Sequence, residues 1–339
     1  MNVQWQDFLK TKNALFTDQG DTLFGKSHTD ENCWKTDLSM LGILKISGAD
    51  KQSFLQGQLT GDTRDINSEK AQFSSYCTPK GRMLANMRIA EQGDNWLIVL
   101  PLSRLASIQK RLQMFVMRSD VTIEDASSDF ACIGISGDCT EQITTDNTIP
   151  KALNDAANIE SGLLIKVDES PRFLLIATTE QATAAWQSLN IEAVDSSAWR
   201  LADIRAAIPT VYEETVEAFI PQMTNMQLLS GVSFTKGCYT GQEVVARMQY
   251  LGKLKRRMYP VSFSSDQDFS RGADIFSAES QSGQGAGKLV DVVKTSGNQY
   301  EALAVVEIAS HEAGNLHVGD IEGPALQVKE PPYPFEVDE

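Results

Sequence analysis

The N-terminal part of the chain carries short runs of alternating apolar and polar residues. "GILKIS" predicts a strand, and "GADKQSFLQGQLTGD" predicts a short helix that begins at Asp50 and buries Phe54, Leu55 and Leu59. "QFSSYCTPKGRMLANMRI" has the two-residue period of a strand on both sides of residues 78–81, where proline and glycine favour a turn. These patterns predict a strand, a helix and a β-hairpin in succession.

The next segments continue this mixture of strands and helices. "NWLIVLP", "DVTIED" and "ACIGIS" predict strands, and "LSRLASIQKRLQMFV" has the spacing of a helix. The apolar stripe of this helix contains Leu105, Ile108, Leu112 and Phe115. We therefore expect a helix whose four apolar side chains share one face.

A second round with a similar order of elements begins near Leu163. "LLIKVDESPRFLLIAT" predicts another hairpin, and Thr178 with Gln181 forms a capping box before a helix in "TTEQATAAWQSL". "DSSAWRLADIRAAIP" predicts a further helix that is capped by Asp195 or Ser196 and ends before Pro209.

After residue 259 the pattern changes to short strands separated by glycine and serine. "YPVSFSS", "GKLVDVV" and "YEALAVVEI" predict a small β-barrel, and the proline-rich, acidic "KEPPYPFEVDE" predicts a tail that lies extended on the surface. We predict an α+β domain at residues 1–128, a second α+β domain at 129–255 that can interleave with the first, and the barrel with its tail at 256–339.

The charge balance limits the classes of partner. Acidic residues outnumber basic ones by 45 to 30, and a net charge of −15 disfavours broad adhesion to nucleic acid or anionic membranes. One basic segment, "RMQYLGKLKRR", either complements the end of a helix or attracts an acidic ligand such as the glutamate tail of folate. There is no apolar run of the roughly 20 residues that cross a bilayer, and no basic start followed by an apolar core, so we expect a cytoplasmic protein without membrane contact.

The segment "KGCYTGQEVVAR" carries the most unusual of the five cysteines, which are odd in number and widely spaced and are expected to be mostly reduced. With Thr240 as N-cap, Glu243 completes a capping box, so Cys238 lies just before a helix start that favours a thiolate. Lys236 adds a nearby cation, and the glycines on either side allow close approach of a ligand. The sequence therefore predicts a reactive thiol with a lowered pKa, and the alternative is a small buried cysteine in a tight turn.

Two other kinds of chemistry have little support in the sequence. A hydrolase needs a base beside its nucleophile, but His28, His311 and His317 are far from Cys238 in sequence and lie in no recognisable motif. CxxC and HxxxH spacings are missing from the sequence, so we predict no intrinsic metal site; the open alternatives are a cluster shared with a partner and a site built from several distant ligands.

The long segment "FIPQMTNMQLLSGVSFTKGCYTGQEVVAR", together with "ISGADKQSFLQGQLTGD", "PKGRM" and the proline-tyrosine tail, closely resembles the YgfZ family of folate-binding proteins. This family is related to the aminomethyltransferase (T-protein) of the glycine cleavage system. The resemblance covers nearly the whole chain. It implies a three-domain, ring-like α+β fold of the aminomethyltransferase type with a C-terminal β-barrel and a tetrahydrofolate site in the central opening. It also implies a role in iron–sulfur protein assembly or repair, and through iron–sulfur enzymes in tRNA modification; we expect a monomer.

The resemblance places the family's cysteine at Cys238. Of the two tryptophans that contact folate in the family, one falls on Trp199, and the other position is Leu41 in this chain, where Trp34 is expected to substitute from a neighbouring turn. A pterin that stacks on one ring and leans on an aliphatic side chain binds more weakly, by roughly the 0.5–1.5 kcal/mol of an aromatic pair. Without the resemblance, a core position for Trp199 is the expected alternative. Further candidate cofactor-binding residues are Tyr239, Gln242, Glu243, Arg247 and Gln58.

One departure from the aminomethyltransferases concerns catalysis. Those enzymes carry a pair of aspartates on the strand after the "PKGRM"-like turn, where this chain has Ala85 and Asn86. Neither side chain can act as a general base or stabilise a cationic iminium by charge. We therefore do not expect aminomethyl transfer, and two alternatives stay open: a folate-dependent transferase or demethylase with another base, and a non-catalytic scaffold for iron–sulfur enzymes.

Overall fold

The computed structural model describes residues 2–17, 20–27, 33–144, 148–280 and 285–335, so His28 lies outside the described residues. The chain forms two compact units. Unit 1 comprises Met1–Gly57, Asp62–Phe73 and Met87–Trp199, and unit 2 comprises Gln58–Gly61, Ser74–Asn86 and Arg200–Glu339. This two-way division does not test the predicted boundaries at 128/129 and 255/256, which stay predictions.

The regular elements have the following bounds. The helices are α1 (Val3–Lys10), α2 (Lys51–Gln56), α3 (Leu102–Val116), α4 (Thr140–Ile143), α5 (Thr179–Ser188), α6 (Ser196–Arg205), α7 (Gln242–Tyr250) and α8 (Ile308–Ala313). The strands are β1 (Leu15–Phe16), β2 (Thr22–Leu23), β3 (Trp34–Asp37), β4 (Leu41–Ser47), β5 (Gln72–Cys77), β6 (Met83–Gln92), β7 (Asn95–Pro101), β8 (Thr122–Asp125), β9 (Phe130–Ser136), β10 (Ala156–Ile159), β11 (Gly162–Lys166), β12 (Arg172–Thr178), β13 (Glu192–Ala193), β14 (Arg256–Ser264), β15 (Asp274–Phe276), β16 (Gly287–Lys294), β17 (Gln299–Glu307), β18 (His317–Val318) and β19 (Gln327–Val328).

Unit 1 contains a six-stranded sheet in the order β10-β11-β12-β9-β3-β13. The predicted hairpin of β11 and β12 is confirmed, with Leu163 opposite Ile176. Side chains alternate between the two faces of a strand. Leu175 of β12 therefore packs in an apolar cluster with residues of α1 and α5, whereas the next residue, Ile176, packs in a second apolar cluster with residues of β4 and β7. The capping box of Thr178 and Gln181 at the start of α5 is also confirmed.

A second sheet has the order β5-β6-β7-β4-β8. The predicted turn between β5 and β6 is confirmed, since the N–H of Thr78 donates to the carbonyl of Arg82 over 2.8 Å. Helix α3 buries Leu105, Ile108 and Leu112 as predicted, but Phe115 is 45% exposed. That part of the prediction is wrong, because Phe115 lies in the last turn of α3, beside the exposed Met114 and Met117.

Unit 2 contains a six-stranded antiparallel sheet in the order β18-β15-β16-β17-β14-β19, which curls into a half-barrel. The strands predicted in "YPVSFSS", "GKLVDVV" and "YEALAVVEI" are β14, β16 and β17. A bulge between Leu289 and Asp291 interrupts the pairing of β16 with β17. It leaves the carboxylate of Asp291 buried between the guanidinium groups of Arg200 (2.6 Å) and Arg271 (2.9 Å).

Most of the described tail residues, 329–335, are exposed or half-buried, as predicted for a surface segment, but two aromatic side chains fix the tail to the rest of unit 2; residues 336–339 lie outside the described residues. The hydroxyl of Tyr333 donates to the carbonyl of Ala207 over 2.8 Å and accepts from the amide of Asn225 over 3.2 Å. The ring of Phe335 packs edge-on against Tyr259, with centroids 5.5 Å apart. The two aromatic rings hold the tail against unit 2, because they lose water-exposed apolar area there.

Candidate functional site

The site is centred on Cys238, which lies in unit 2 on the turn before α7. All five cysteines fall within the described residues as free thiols, and among them Cys238 alone is exposed. Its neighbour Gly237 is also exposed, and no atom of the described residues lies within 4 Å of the position that a Cβ would take at Gly237. The turn therefore presents the thiol to solvent.

The start of α7 differs from the predicted capping box. The N-cap is Gly241, with φ of 87° and no side-chain cap, and not Thr240. A Cβ at Gly241 would lie 2.5 Å from the carbonyl oxygen of Thr78, in the turn between β5 and β6. At Gly241 the backbone lies against this turn and has a left-handed conformation. For both reasons, a residue with a side chain does not fit at this position without strain. The capping-box prediction is wrong because this long-range contact, and not local side-chain bonding, decides where the helix begins.

Lys236 anchors one side of the cysteine turn. Its side chain is buried, and Nζ donates to the carbonyl oxygens of Leu59 (2.8 Å) and Gly61 (2.6 Å). The ammonium also lies 5.2 Å from the centroid of the Tyr239 ring, in a cation–π contact. The structure therefore uses Lys236 to hold the segment 58–61 under the turn.

Tyr239 anchors the other side of the turn. Its ring is buried beside Cys77, and burial, followed by the charge of a Cys77 thiolate, raises the pKa of Tyr239 above its ordinary value. Burial also raises the pKa of the Cys77 thiol to about 12. Both groups are neutral near pH 7, so this anchor is an uncharged packing contact. The buried side chains of Lys236 and Tyr239 therefore fix the backbone on both sides of the exposed Cys238.

The segment 58–61 brings another predicted residue to this region of unit 2. Thr60 donates its hydroxyl to the carbonyl of Gly231 over 2.6 Å, and its own carbonyl accepts from the N–H of Ser233 over 2.9 Å. Gln58 precedes this bonded stretch, and within the described part of the chain its buried Oε1 meets no hydrogen-bond partner. A buried amide oxygen without a partner is costly in a folded protein, so Gln58 is a candidate contact for a ligand that donates N–H groups.

The remaining candidates of this unit lie on α7. Gln242 is half-buried in the first turn, and Glu243 and Arg247 are exposed one turn apart. Gln58, Lys236, Cys238 and Tyr239 thus lie in or next to segments that contact one another. The other three candidates, Gln242, Glu243 and Arg247, lie on the helix that follows.

Trp199 and Leu41 belong to unit 1. Trp199 is 5% exposed, the Arg172 guanidinium lies 4.6 Å from its ring centroid, and Trp34 packs edge-on at 6.5 Å. This is the environment of the core alternative. Leu41 is half-buried against the same apolar cluster, and Trp34 lies in strand β3 and not in a turn. A folate contact by Trp199 or Leu41 stays a prediction.

Ala85 and Asn86, the two residues that the resemblance aligns with aspartates, are packing residues in the structure. Ala85 is fully buried, and the amide of Asn86 donates to the carbonyl of Pro209 over 2.6 Å and accepts from the N–H of Val211 over 2.9 Å. Asn86 therefore ties β6 to the segment after α6 and has both ends of its amide engaged. No local pattern in the sequence indicates that Asn86 bonds to Pro209 and Val211.

A cavity of about 1080 Å³ in unit 2 was not predicted from the sequence. It is lined by Arg82, Ala218, Phe219, Met223, Lys255, Arg256, Asp274, Phe276, Glu279, Gly285, Lys288, Glu307 and Ala309. Lys255 and Arg256 come from the basic segment noted above, and Arg256 donates to the carboxylate of Glu307 over 3.3 Å and to the carbonyl of Gly285 over 2.7 Å. The only local signal for this cavity was that basic segment.

The described residues lack two kinds of feature. They contain no group of three or more His, Cys, Asp and Glu side chains that is placed to hold a metal ion. None of the helices in the described ranges is both long and apolar enough to span a membrane.

Comparisons with known proteins give relatives for the chain and for its fold, although no protein-family model matches. The "tRNA-modifying protein YgfZ" of Colwellia psychrerythraea strain 34H is 31% identical over 236 residues, 69% of this chain and 72% of that protein. The protein of the same name from Yersinia pestis strain Pestoides F is 32% identical over 238 residues, with the same shares covered. That of Photorhabdus laumondii is 29% identical over 296 residues, 86% of this chain and 90% of the relative.

The fold has a solved counterpart. The crystal structure of the glycine cleavage system aminomethyltransferase T from Bartonella henselae superposes with a TM-score of 0.72 over 97% of this chain and 96% of that one, at 11% identity. The prediction of an α+β fold of the aminomethyltransferase type is confirmed.

Proposed function

Because this chain belongs to the family of tRNA-modifying proteins named YgfZ, we propose that it supports tRNA modification indirectly, as a tetrahydrofolate-binding accessory protein for iron–sulfur proteins. In this role it assists the assembly or repair of iron–sulfur enzymes, including those that modify tRNA. The proposal places it in the cytoplasm.

The observation that carries the proposal is the presentation of Cys238. Lys236 and Tyr239 are buried on either side of an exposed thiol, and Gly237 leaves room among the described residues for another molecule to approach. A thiol held in this way is suited to contact a metal centre or a thiol of a partner protein, because its position is set before the partner arrives. Cys238 is therefore the residue to which we assign the interaction with the iron–sulfur partner.

For tetrahydrofolate, the candidate residues differ in how well they fit. The pterin ring carries N–H groups, and the unpartnered, buried Oε1 of Gln58 offers an acceptor for one of them. Tyr239, Gln242, Glu243 and Arg247 stay candidate contacts on the adjoining turn and helix. Stacking on Trp199 fits less well, because the Arg172 guanidinium lies over that ring. Gln58 is the first residue to test.

The proposal does not include aminomethyl transfer. The buried Ala85 and the fully bonded Asn86 supply no carboxylate where the aminomethyltransferases have aspartates. A folate-dependent transferase with another base is the competing function, and turnover of methylated or aminomethylated donors with tetrahydrofolate is the assay that would reveal it.

The test uses complementation of a strain that lacks the gene, with the modification level of a tRNA that needs an iron–sulfur enzyme as readout. We expect Cys238→Ser to lose this support, and Cys132→Ser, which changes a buried thiol, to retain it in soluble, folded protein. Full support by Cys238→Ser would overturn the role of the thiol. In parallel, anaerobic titration of tetrahydrofolate into wild type and Gln58→Ala tests the cofactor. Saturable binding that weakens in Gln58→Ala supports the folate site, and no binding in wild type would favour the scaffold alternative.

A further inference from the structure

Two cysteines far apart in sequence lie side by side in unit 1. In the pairing of β3 with β9, Trp34 is opposite Ser136, so Cys33 lies at the level of Gly137. The Sγ atom of Cys139 lies 3.5 Å from the carbonyl oxygen of Gly137. Cys33 and Cys139 also pack in the same apolar cluster. The strand register and this local contact therefore bring the two thiols together.

Burial, followed by interaction with the neighbouring Cys33 thiol, raises the pKa of Cys139 to about 12. Cys139 is therefore a protonated thiol near neutral pH. Cys139 is buried whereas Cys33 is half-buried, so a small oxidant from solvent reaches Cys33 first.

We propose that Cys33 and Cys139 are a modification site at which a hydroperoxide converts two thiols into a disulfide. The sulfur of Cys33 attacks hydrogen peroxide, the O–O bond breaks, and Cys33 becomes a sulfenic acid while one water leaves with the thiol proton. The sulfur of Cys139 then attacks the sulfur of Cys33. The S–O bond breaks, and the hydroxide leaves with the proton of Cys139 as a second water. Two thiols and one peroxide thus yield one disulfide and two waters.

The site is separate from the turn that carries Cys238 and does not depend on the proposed function. A disulfide here would link the residue before β3 to the segment that follows β9. Trp34 is the next residue after Cys33 and packs against Trp199. The bond is therefore expected to change tryptophan fluorescence as it forms.

The experiment uses the full chain with Cys238→Ser, which removes the exposed thiol and leaves four of the five cysteines. The protein is treated briefly with hydrogen peroxide, quenched and unfolded, its thiols are counted, and its peptides are mapped by mass spectrometry. We expect four thiols to fall to two, with one cross-linked peptide that joins Cys33 to Cys139. Cys77 and Cys132 stay reduced, because both are buried. Four remaining thiols, or a Cys33 sulfinic acid beside a reduced Cys139, would overturn the proposal.

Single variants in the same background test the order of the two steps. With Cys139→Ser, the sulfenic acid at Cys33 has no partner thiol, so dimedone should label Cys33. With Cys33→Ser, no thiol should be lost. Cys132→Ser is the matched control, and it should still form the disulfide. Equal thiol loss in all three variants would show that other cysteines react and would contradict the assignment.

Discussion

The ammonium nitrogen of Lys236 lies 2.6 Å from the carbonyl oxygen of Gly61, in a segment that is 175 residues away in sequence. Lys236 precedes the exposed Cys238 by two residues, and its side chain points into the protein. There it bonds the cysteine turn to the segment that follows α2. This contact makes the position of Cys238 depend on a long-range bond. It also leads to the first prediction.

We expect Lys236→Met to lower the free energy of unfolding by roughly 2 kcal/mol or more, because it leaves two buried carbonyl groups, those of Leu59 and Gly61, without their donor. Urea unfolding followed by circular dichroism measures the change. Lys253→Met, at an exposed lysine, is the control and should stay within about 0.5 kcal/mol of wild type. A loss no larger than that of the control would contradict the anchoring role.

Two glycines of the same turn should respond differently to alanine. Gly241→Ala forces a side chain into a left-handed conformation against the carbonyl of Thr78, and we expect it to cost at least about 1 kcal/mol of stability. Gly237→Ala meets open space among the described residues and should leave stability nearly unchanged. Thermal unfolding of both variants makes the comparison. Equal melting temperatures would show that the start of α7 does not need glycine.

Asn86 should prove to be a structural residue and not a remnant of a catalytic site. Asn86→Ala removes a donor to Pro209 and an acceptor for Val211, so we expect a loss of about 2 kcal/mol in unfolding free energy. Tetrahydrofolate affinity of the folded variant should be unchanged, which calorimetry can measure. Wild-type stability combined with lost folate binding would reverse this interpretation.

The buried carboxylate of Asp291 leads to a prediction about how the stability of the protein depends on pH. Burial raises the pKa of Asp291, but the Arg200 and Arg271 guanidinium groups outweigh it and hold the pKa below its ordinary value of 3.8. A depressed carboxyl pKa contributes stability that is present above the unfolded-state value and is lost as the pH falls through the folded-state value. Wild type should therefore lose more stability than Asp291→Asn below about pH 4.

The measurement is urea unfolding of both proteins at a series of pH values from neutral to acid. The exposed Asp266 provides a control, and Asp266→Asn should follow the wild-type curve. Parallel curves for wild type and Asp291→Asn would mean that the two arginines do not stabilise the charged carboxylate.

Much of the fold could be predicted from the sequence, because its elements are decided by neighbouring residues. The hairpins around residues 78–81 and in "LLIKVDESPRFLLIAT" follow a two-residue period, and Thr178 with Gln181 marks the start of α5 through local hydrogen bonds. The barrel strands and the resemblance to the aminomethyltransferase fold were likewise available without a structure. The local predictions that failed depend on distant segments or their absence: Phe115 stays exposed at the end of α3, and the turn at Thr78 decides that α7 begins at Gly241 and not at Thr240.

The candidate site also has some features that the sequence determines and others that only the tertiary structure determines. The sequence by itself determined that Cys238 lies on a glycine-flanked turn before a helix, since this follows from residue type and order. That Ala85 and Asn86 stand where the aminomethyltransferases carry aspartates is implied by the resemblance and stays a prediction. Only the tertiary structure decided that Lys236 binds Gly61, that Trp199 is enclosed by Arg172 and Trp34, and that Cys33 packs in the same apolar cluster as Cys139. The physical reason is that these contacts join residues far apart in the chain, and strand register and packing, which no local pattern encodes, set which of them meet.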